Sequence, residues 1–434
     1  MQGPARMGIG RSMLVAVAVA LGVVAATVAF FGVAAVTDQV IVFAFAAVGA
    51  LLVVTTGVTA LAVLGLTSSR SRSLRIGVPL VTTVAVVFVA SAILFNPLPF
   101  TSPGAQPAPG MRYWDVSTGS RLAYVKVAAV GTPHATPIIY LHGGPGAPEL
   151  NGDLSYFGRL AQDGYDVYLY DQIGAGNSPR LADVTQYTVA RHVADLEAVR
   201  QVIGADRVIL IGQSWGSTLA AAYLVAYGEH VTKVVFSSPG PVWLNEVVTQ
   251  GGASTGERLT PAQRSRVNDV ATRPRAVLDQ ILFADNPRAA YAFAGDSEMD
   301  AYFDAVLDGS KAAAFCDVSH PPNLPTSGTG FYVNKETFAD GVRVPDPRPA
   351  LRAIQTPALI VKGGCDYVAW HYAAEYRNLL PNAQLVYLPN AGHKAYYDQT
   401  EAYFASLRAF LLDQAPPLAP YIGSDPPPDY TGVR

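Results

Sequence analysis

The stretch 207–217, Arg-Val-Ile-Leu-Ile-Gly-Gln-Ser-Trp-Gly-Ser, constrains this chain more than any other. Val208, Ile209, Leu210 and Ile211 make an apolar, largely β-branched run, the pattern of a strand buried on both faces. It leads into Gly212, Gln213, Ser214, Trp215 and Gly216, and then into the helical composition of 218–226. Strand, Gly-x-Ser-x-Gly and helix in that order predict a sharp nucleophile elbow with Ser214 at its apex. The two glycines leave room for the turn and for close strand–helix packing.

Around this elbow the chain alternates. Apolar strand runs at 137–141, 166–170, 233–236, 358–361 and 384–388 are separated by helical patterns, and two short strands across 113–127 precede them. In the helical stretch 187–203, for example, Val189, Val193, Leu196, Val199 and Val202 recur at helical spacing. Such alternation predicts an α/β fold, a mostly parallel sheet with helices on both faces. Between 241 and 348 the strand runs lapse, and helical pieces at 260–269, 275–283 and 298–308 take over. An insertion here reads as a helical cap over the carboxyl ends of the strands, where α/β ligand sites lie. The core thus spans 112–240 and 349–414, and the Pro-rich residues 415–434 read as a flexible tail.

Residues 1–96 are of another kind. Segments 13–36, 40–66 and 78–95 carry no charge, and each is long enough to cross a hydrocarbon core about 30 Å thick at about 1.5 Å per residue. A mean hydropathy of +0.24 agrees with such a content. Three transmembrane helices are expected, a multi-pass anchor that makes the lipid bilayer a partner. Arg6 and Arg11 precede the first span, Asp38 lies between the first two, and Arg70, Arg72 and Arg75 lie between the second and third. The positive-inside rule then puts the amino terminus and the second loop in the cytoplasm, and everything after the third span outside. Prolines at 97, 99, 103, 107 and 109 mark 97–111 as an extended linker. The spans hold no Asp, Glu, Lys or His, so an anchor is expected rather than a proton or transport path. A net charge of −3 gives no reason to expect nucleic acid. Two cysteines, Cys316 and Cys365, exclude a disulfide framework and a thiolate metal cluster; no metal or cofactor is expected.

A serine hydroxyl needs a base within reach and an acid to orient that base. Elbow enzymes supply them in the order Ser, acid, His. The strand 358–361 ends in a turn holding Asp366, and the strand 384–388 ends in a turn holding His393. Both turns belong to the rim where Ser214 emerges, which makes Ser214, Asp366 and His393 the candidate triad. His134, His142, His192, His230, His320 and His371 lack that strand-then-loop position after an acid. Charge developing on a substrate carbonyl calls for two backbone N–H donors. The candidates are Trp215, directly after the nucleophile, and Gly144 in the Gly-rich turn after the strand 137–141.

Together these motifs resemble the α/β-hydrolase superfamily, and within it the prolyl iminopeptidase-like serine peptidases. The resemblance rests on 142–146 (His-Gly-Gly-Pro-Gly), on 171–178 (Asp-Gln-x-Gly-x-Gly-x-Ser), on 214–217 (Ser-Trp-Gly-Ser), on Gly364 and Asp366, and on 391–393 (Ala-Gly-His). The helix 193–200 followed by Ile203 and Gly204 fits as well, and coverage runs from about 112 to 413. It implies a cofactor-free aminopeptidase that releases an N-terminal residue, often proline, through an acyl-enzyme. Two positions depart from the family: Ile173 stands where Arg is usual, and Gln213 where Gly is usual. Peptide and small acyl substrates therefore both stay open, an esterase or lipid hydrolase with the same triad being the alternative. Family members hold the substrate ammonium with cap carboxylates, and here Glu298 is the first candidate and Glu246 the second. An extracytoplasmic site allows Cys316, in the cap, to pair with Cys365, beside the acid; two free thiols are the alternative.

Overall fold

The computed structural model describes residues 9–62, 69–251, 253–324 and 326–434. They form two compact units. The first is built from residues up to Pro99 together with Thr272–Gly295, and the second from Phe100–Ala271 and Asp296–Arg434.

Three helices open the first unit: α1 Ile9–Ala34, α2 Val40–Ala62 and α3 Ser69–Leu94. Within them Met13–Ala34, Val40–Leu61 and Arg75–Leu94 are long and apolar enough to cross a membrane. Gly22 brings α1 close to α2, since a Cβ there would strike Thr55 and Leu51, the small-residue contact typical of apolar helix pairs. Arg70, Arg72 and Arg75, expected in a loop, belong instead to the first turns of α3, arginine being a good helix former. Arg6 and residues 63–66 lie outside the described residues.

Eight strands form one sheet in the second unit: β1 Arg112–Asp115, β2 Arg121–Val127, β3 Ile138–Leu141, β4 Val167–Tyr170, β5 Val208–Gln213, β6 Val231–Ser237, β7 Ala358–Gly363 and β8 Ala383–Leu388. Their order is β1-β2-β4-β3-β5-β6-β7-β8. β2 pairs antiparallel with β1 and β4, and every pairing from β4 to β8 is parallel. All residues of β3, β4, β5 and β7 are buried, as apolar runs covered on both faces require. From β3 the chain moves to β4 on one side and then to β5 on the other. That reversal opens a crevice at the carboxyl ends of β3 and β5, where Gly143 and Ser214 follow their strands.

Helices α4 Leu150–Phe157, α5 Val189–Val202 and α6 Trp215–Tyr227 join the early strands. After β6 come α7 Asn245–Gln250, α8 Thr255–Arg258, α9 Pro261–Ala271, α10 Pro274–Asp285, α11 Pro287–Phe293, α12 Asp296–Ser310 and α13 Phe331–Gly341. This is the stretch read as the cap, but it is divided. α10 and α11 belong to the first unit, and the other helices to the second. α14 Arg348–Leu351, α15 Trp370–Leu379, α16 Ala395–Asp398 and α17 Thr400–Leu411 complete the chain.

Residues 100–111 of the expected extended linker, and the tail expected to be flexible, both pack within the second unit. In the linker, Ala108 is buried and the carbonyl of Gln106 accepts from Asn151 Nδ2 at 3.0 Å. In the tail, Tyr421 N–H donates to Leu385 O at 2.7 Å, and Tyr430 is buried. Proline-rich backbone keeps its carbonyls as acceptors, and interspersed aromatic residues provide apolar surface to bury.

Candidate active site

Ser214 occupies the single position between β5 and α6, with φ 54° and ψ −118°. A non-glycine residue there is strained and persists only where its surroundings over-determine it. Three hydrogen bonds do so. Ser214 N–H donates to Ser237 O at 3.0 Å, while its carbonyl accepts from Ser217 N–H at 2.9 Å and Gly240 N–H at 3.1 Å. Both flanking glycines are needed, because a Cβ on Gly212 would strike the Gly216 carbonyl and one on Gly216 would strike Leu141 O.

Asp366 follows β7 and His393 follows β8. His393 Nδ1 lies 2.8 Å from Asp366 Oδ1, so Nε2 is the ring nitrogen left for the serine. The other carboxylate oxygen, Oδ2, accepts from Lys362 Nζ at 2.8 Å, and Val368 N–H donates to Oδ1 at 2.9 Å. Asp366 and Lys362 are both fully buried. Burial alone would raise the Asp366 carboxyl, but the charges of Lys362 and His393 outweigh it and hold the group well below the carboxylate range. Burial also lowers Lys362, against the pull of Asp366. Reading the sequence for the triad did not single out Lys362. Its signal was a lysine inside the otherwise apolar β7.

The turn after β3 is tied to the elbow by polar side chains. Gln172 N–H donates to His142 Nε2 at 3.0 Å, which leaves the proton on Nδ1, 2.8 Å from Gly143 O. Burial pushes His142 down to about 4, so the ring stays neutral. Gln172 Nε2 donates to His142 O at 2.9 Å, and Gln172 Oε1 accepts from the Trp215 indole at 2.9 Å. Gly143 sits against Gln213 Oε1 and, at 3.2 Å for a Cβ, against Ser214. Gly144 takes φ +115°, a conformation open to glycine. The N–H of Trp215 opens α6, where no intrahelical acceptor exists.

Ser214 and His393 share a cavity of about 200 Å³ with Gly143, Gly144 and Gln213. Apolar cap residues Phe303, Leu307, Phe315 and Leu324 line it too, as do Glu149, Asp153 and Lys394. Lys394 pairs with Glu149. Asp153 is buried and accepts from Tyr396 Oη at 2.8 Å; burial pushes its carboxyl up to about 7, against the nearby Lys394 charge. The wall formed by Ala314 and Phe315 is fastened to both rim loops through the next residue, Cys316. Cys316 is disulfide-bonded to Cys365, and Asp398 Oδ2 accepts from Cys316 N–H at 2.9 Å and Gly392 N–H at 2.7 Å. Neither Glu298 nor Glu246 is among the cavity-lining residues. Glu246 is instead buried in an ion pair with Arg348 at 2.6 Å.

Residues 136–400 match the sequence profile described as the alpha/beta hydrolase fold. The chain belongs to the α/β-hydrolase family. A proline iminopeptidase of Heyndrickxia coagulans is 27% identical over 68% of this chain and 96% of its own length. A proline iminopeptidase of Xylella fastidiosa (strain Temecula1) is 31% identical over 62% of this chain and 87% of its own. Among solved structures, an esterase from Exiguobacterium antarcticum superposes with a TM-score of 0.51 at 19% identity, covering 69% of this chain and 98% of its own. That last likeness concerns the fold alone.

In this α/β hydrolase the two unusual positions lie close to the elbow in space or in chain. Gln213 is buried against Gly143, and its Nε2 lies 3.5 Å from His393 O. Ile173 is buried next to Gln172, the residue that bonds the Trp215 indole. An apolar side chain there needs no polar partner, whereas a buried guanidinium would need several.

Proposed function

We propose that the chain is a membrane-anchored serine aminopeptidase of the proline iminopeptidase type. The observation that carries this reading is one small cavity holding Ser214, His393 and two carboxylates, Glu149 and Asp153. Ser214 Oγ attacks the carbonyl carbon of the N-terminal residue while His393 Nε2 takes its proton. Asp366, kept ionised by Lys362, orients the ring and stabilises its charged form. The N–H groups of Gly144 and Trp215 receive the oxyanion. His393 returns the proton to the leaving amine, which departs with the rest of the peptide. Water, deprotonated by the same ring, then frees the residue from Ser214.

Glu149 and Asp153, rather than Glu298 or Glu246, pair with the substrate's ammonium, which competes with Lys394 for them. A cavity of about 200 Å³ falls below the roughly 300 Å³ at which drug-sized pockets begin. One amino-acid residue suits it better than a long acyl chain. The three apolar helices and the arginine bias support an anchor with the hydrolase outside the cytoplasm.

Aminoacyl arylamides, proline derivatives among them, are to be assayed beside short acyl esters on the full-length protein. Turnover of the free-amine substrates, lost on N-acetylation and reduced about 10⁶-fold in kcat by Ser214→Ala, is the expected result. Hydrolysis of esters alone would replace the aminopeptidase reading with an esterase, and undiminished activity in Ser214→Ala would remove the triad.

A further inference from the structure

Helices α10 and α11 come from the middle of the cap sequence but fold with α1, α2 and α3. Their contacts close the bundle at one end. The last residues of a helix leave carbonyls without intrahelical donors, and in an apolar surrounding such groups are costly. Asn286, which also caps α11, donates from Nδ2 to Ala34 O at 2.9 Å, at the end of α1. Arg275 donates to Leu94 O at 3.1 Å, at the end of α3, and to Phe293 O at 2.8 Å. Phe95 meets Phe293 edge-on at 5.7 Å, and Leu278 lines an apolar groove with Phe30, Leu51, Val87 and Leu94.

The other face of α10 is the unexpected one. Pro274, Val277, Ile281 and Ala284 are exposed and follow one another at steps of three, four and three residues, so they form one stripe along the helix. On a helix facing water that stripe is polar. Here it is apolar from Pro274 to Ala284, with the exposed Asp285 following at the end of α10, while Leu278 and Leu282 are already used in packing. Arg273 and Arg288, both exposed, flank it in sequence. A helix lying across the end of a membrane-crossing bundle is at head-group depth, and an apolar face with flanking cations is the composition that settles there.

We propose that α10 is an interfacial membrane helix, with Pro274, Val277, Ile281 and Ala284 seated among the outermost acyl carbons and head groups of the bilayer that α1, α2 and α3 span. The proposal rests on the membrane-anchor reading, with which it shares the bundle. The hydrolase thus has a fourth lipid contact, contributed by its cap sequence. Only Ala294 and Gly295 separate α11 from α12, whose Phe303 and Leu307 line the catalytic cavity.

The test uses full-length protein in phosphatidylcholine vesicles, with both native cysteines held in their disulfide. Single cysteines replace Val277, Ile281 or Ala284 on α10, Phe88 on α3, or the exposed Ser319 of the second unit, and each carries an environment-sensitive fluorophore. Lipids bearing a nitroxide near the carbonyl or near the methyl end of the acyl chain serve as quenchers. The α10 probes should be quenched most by the shallow nitroxide, Phe88→Cys most by the deep one, and Ser319→Cys by neither. α10 probes that behave like Ser319→Cys while Phe88→Cys is quenched would overturn the interfacial helix and leave the anchor standing. Loss of quenching at Phe88→Cys too would overturn both. Using three positions on the stripe guards against one substitution disturbing the fold.

Discussion

At Asp366 two buried charges hold each other in place. Lys362 neutralises a carboxylate that has no water to solvate it. Lys362→Met is expected to cost about 3–5 kcal/mol of stability, the usual result of orphaning one member of a buried pair. It should also raise the Asp366 carboxyl, so that the acid limb of the kcat/KM profile moves to higher pH. Denaturant unfolding and a pH–rate series check the two effects. Asp153 offers a different pH signature. Its carboxyl sits near 7 in the folded protein, so it is ionised above that value and neutral below. If it pairs with the substrate ammonium, KM for free-amine substrates rises as pH falls through 7, by up to about tenfold per unit, while KM for uncharged esters does not. Asp153→Asn should flatten the dependence. The stability sign is the reverse of the usual carboxylate case. The unfolded chain loses this proton near pH 4 and the folded one near 7, so stability falls as pH rises between them. The positions of Ser214, Asp366 and His393 were legible because each follows a strand whose apolar run marks where the chain leaves the sheet. The carboxylates at the cavity were not. The acidic cluster 296–300 points to Glu298, but side-chain direction on a cap helix depends on packing that no local pattern records.

Between elements, the decisive link is the bond from Cys316 to Cys365, which fastens cap residues to the loop of Asp366. It closes a loop with a sequence separation of 49. In the chain-entropy model such a loop is worth up to about 4 kcal/mol. The double variant Cys316→Ser with Cys365→Ser is expected to lose stability of that order. Its arylamide turnover should become more sensitive to mild denaturant than that of the parent. Unfolding curves and residual activity at fixed urea measure both. The carboxyl-terminal tail reinforces the same loop: Thr431 and Gly432 donate to Gly364 O at 2.8 and 3.0 Å, and Val433 donates to Asp366 O at 2.9 Å. The central strands could be read because apolar runs rich in β-branched residues and bounded by turns have few other fates. The tail could not, since proline content argues for a free end whereas Trp370, which meets Tyr421 and Tyr430 edge-on, decides otherwise. These ring contacts join residues far apart in sequence, and local composition carries no trace of them.

At the scale of the whole molecule the three apolar helices share one compact unit with α10 and α11. Removing residues 1–99 strips α10 and α11 of the helices they pack on and leaves Leu278, Phe293 and the exposed stripe to water. Such a truncation is expected to aggregate. Removing 272–295 as well, with a short polar bridge in their place, is expected to give a dispersed protein; size-exclusion chromatography of the two distinguishes them. The first unit's discontinuity also sets an order of events during synthesis. α1, α2 and α3 leave the ribosome first, but Arg275 follows Leu94 by 181 positions and Asn286 follows Ala34 by 252, about ten seconds or more at ordinary elongation rates. For that interval the bundle end is open, and the hydrolase core is half made. The first unit can close once α10 and α11 arrive, whereas the second still waits for β7 and β8, so the two units complete in that order during synthesis.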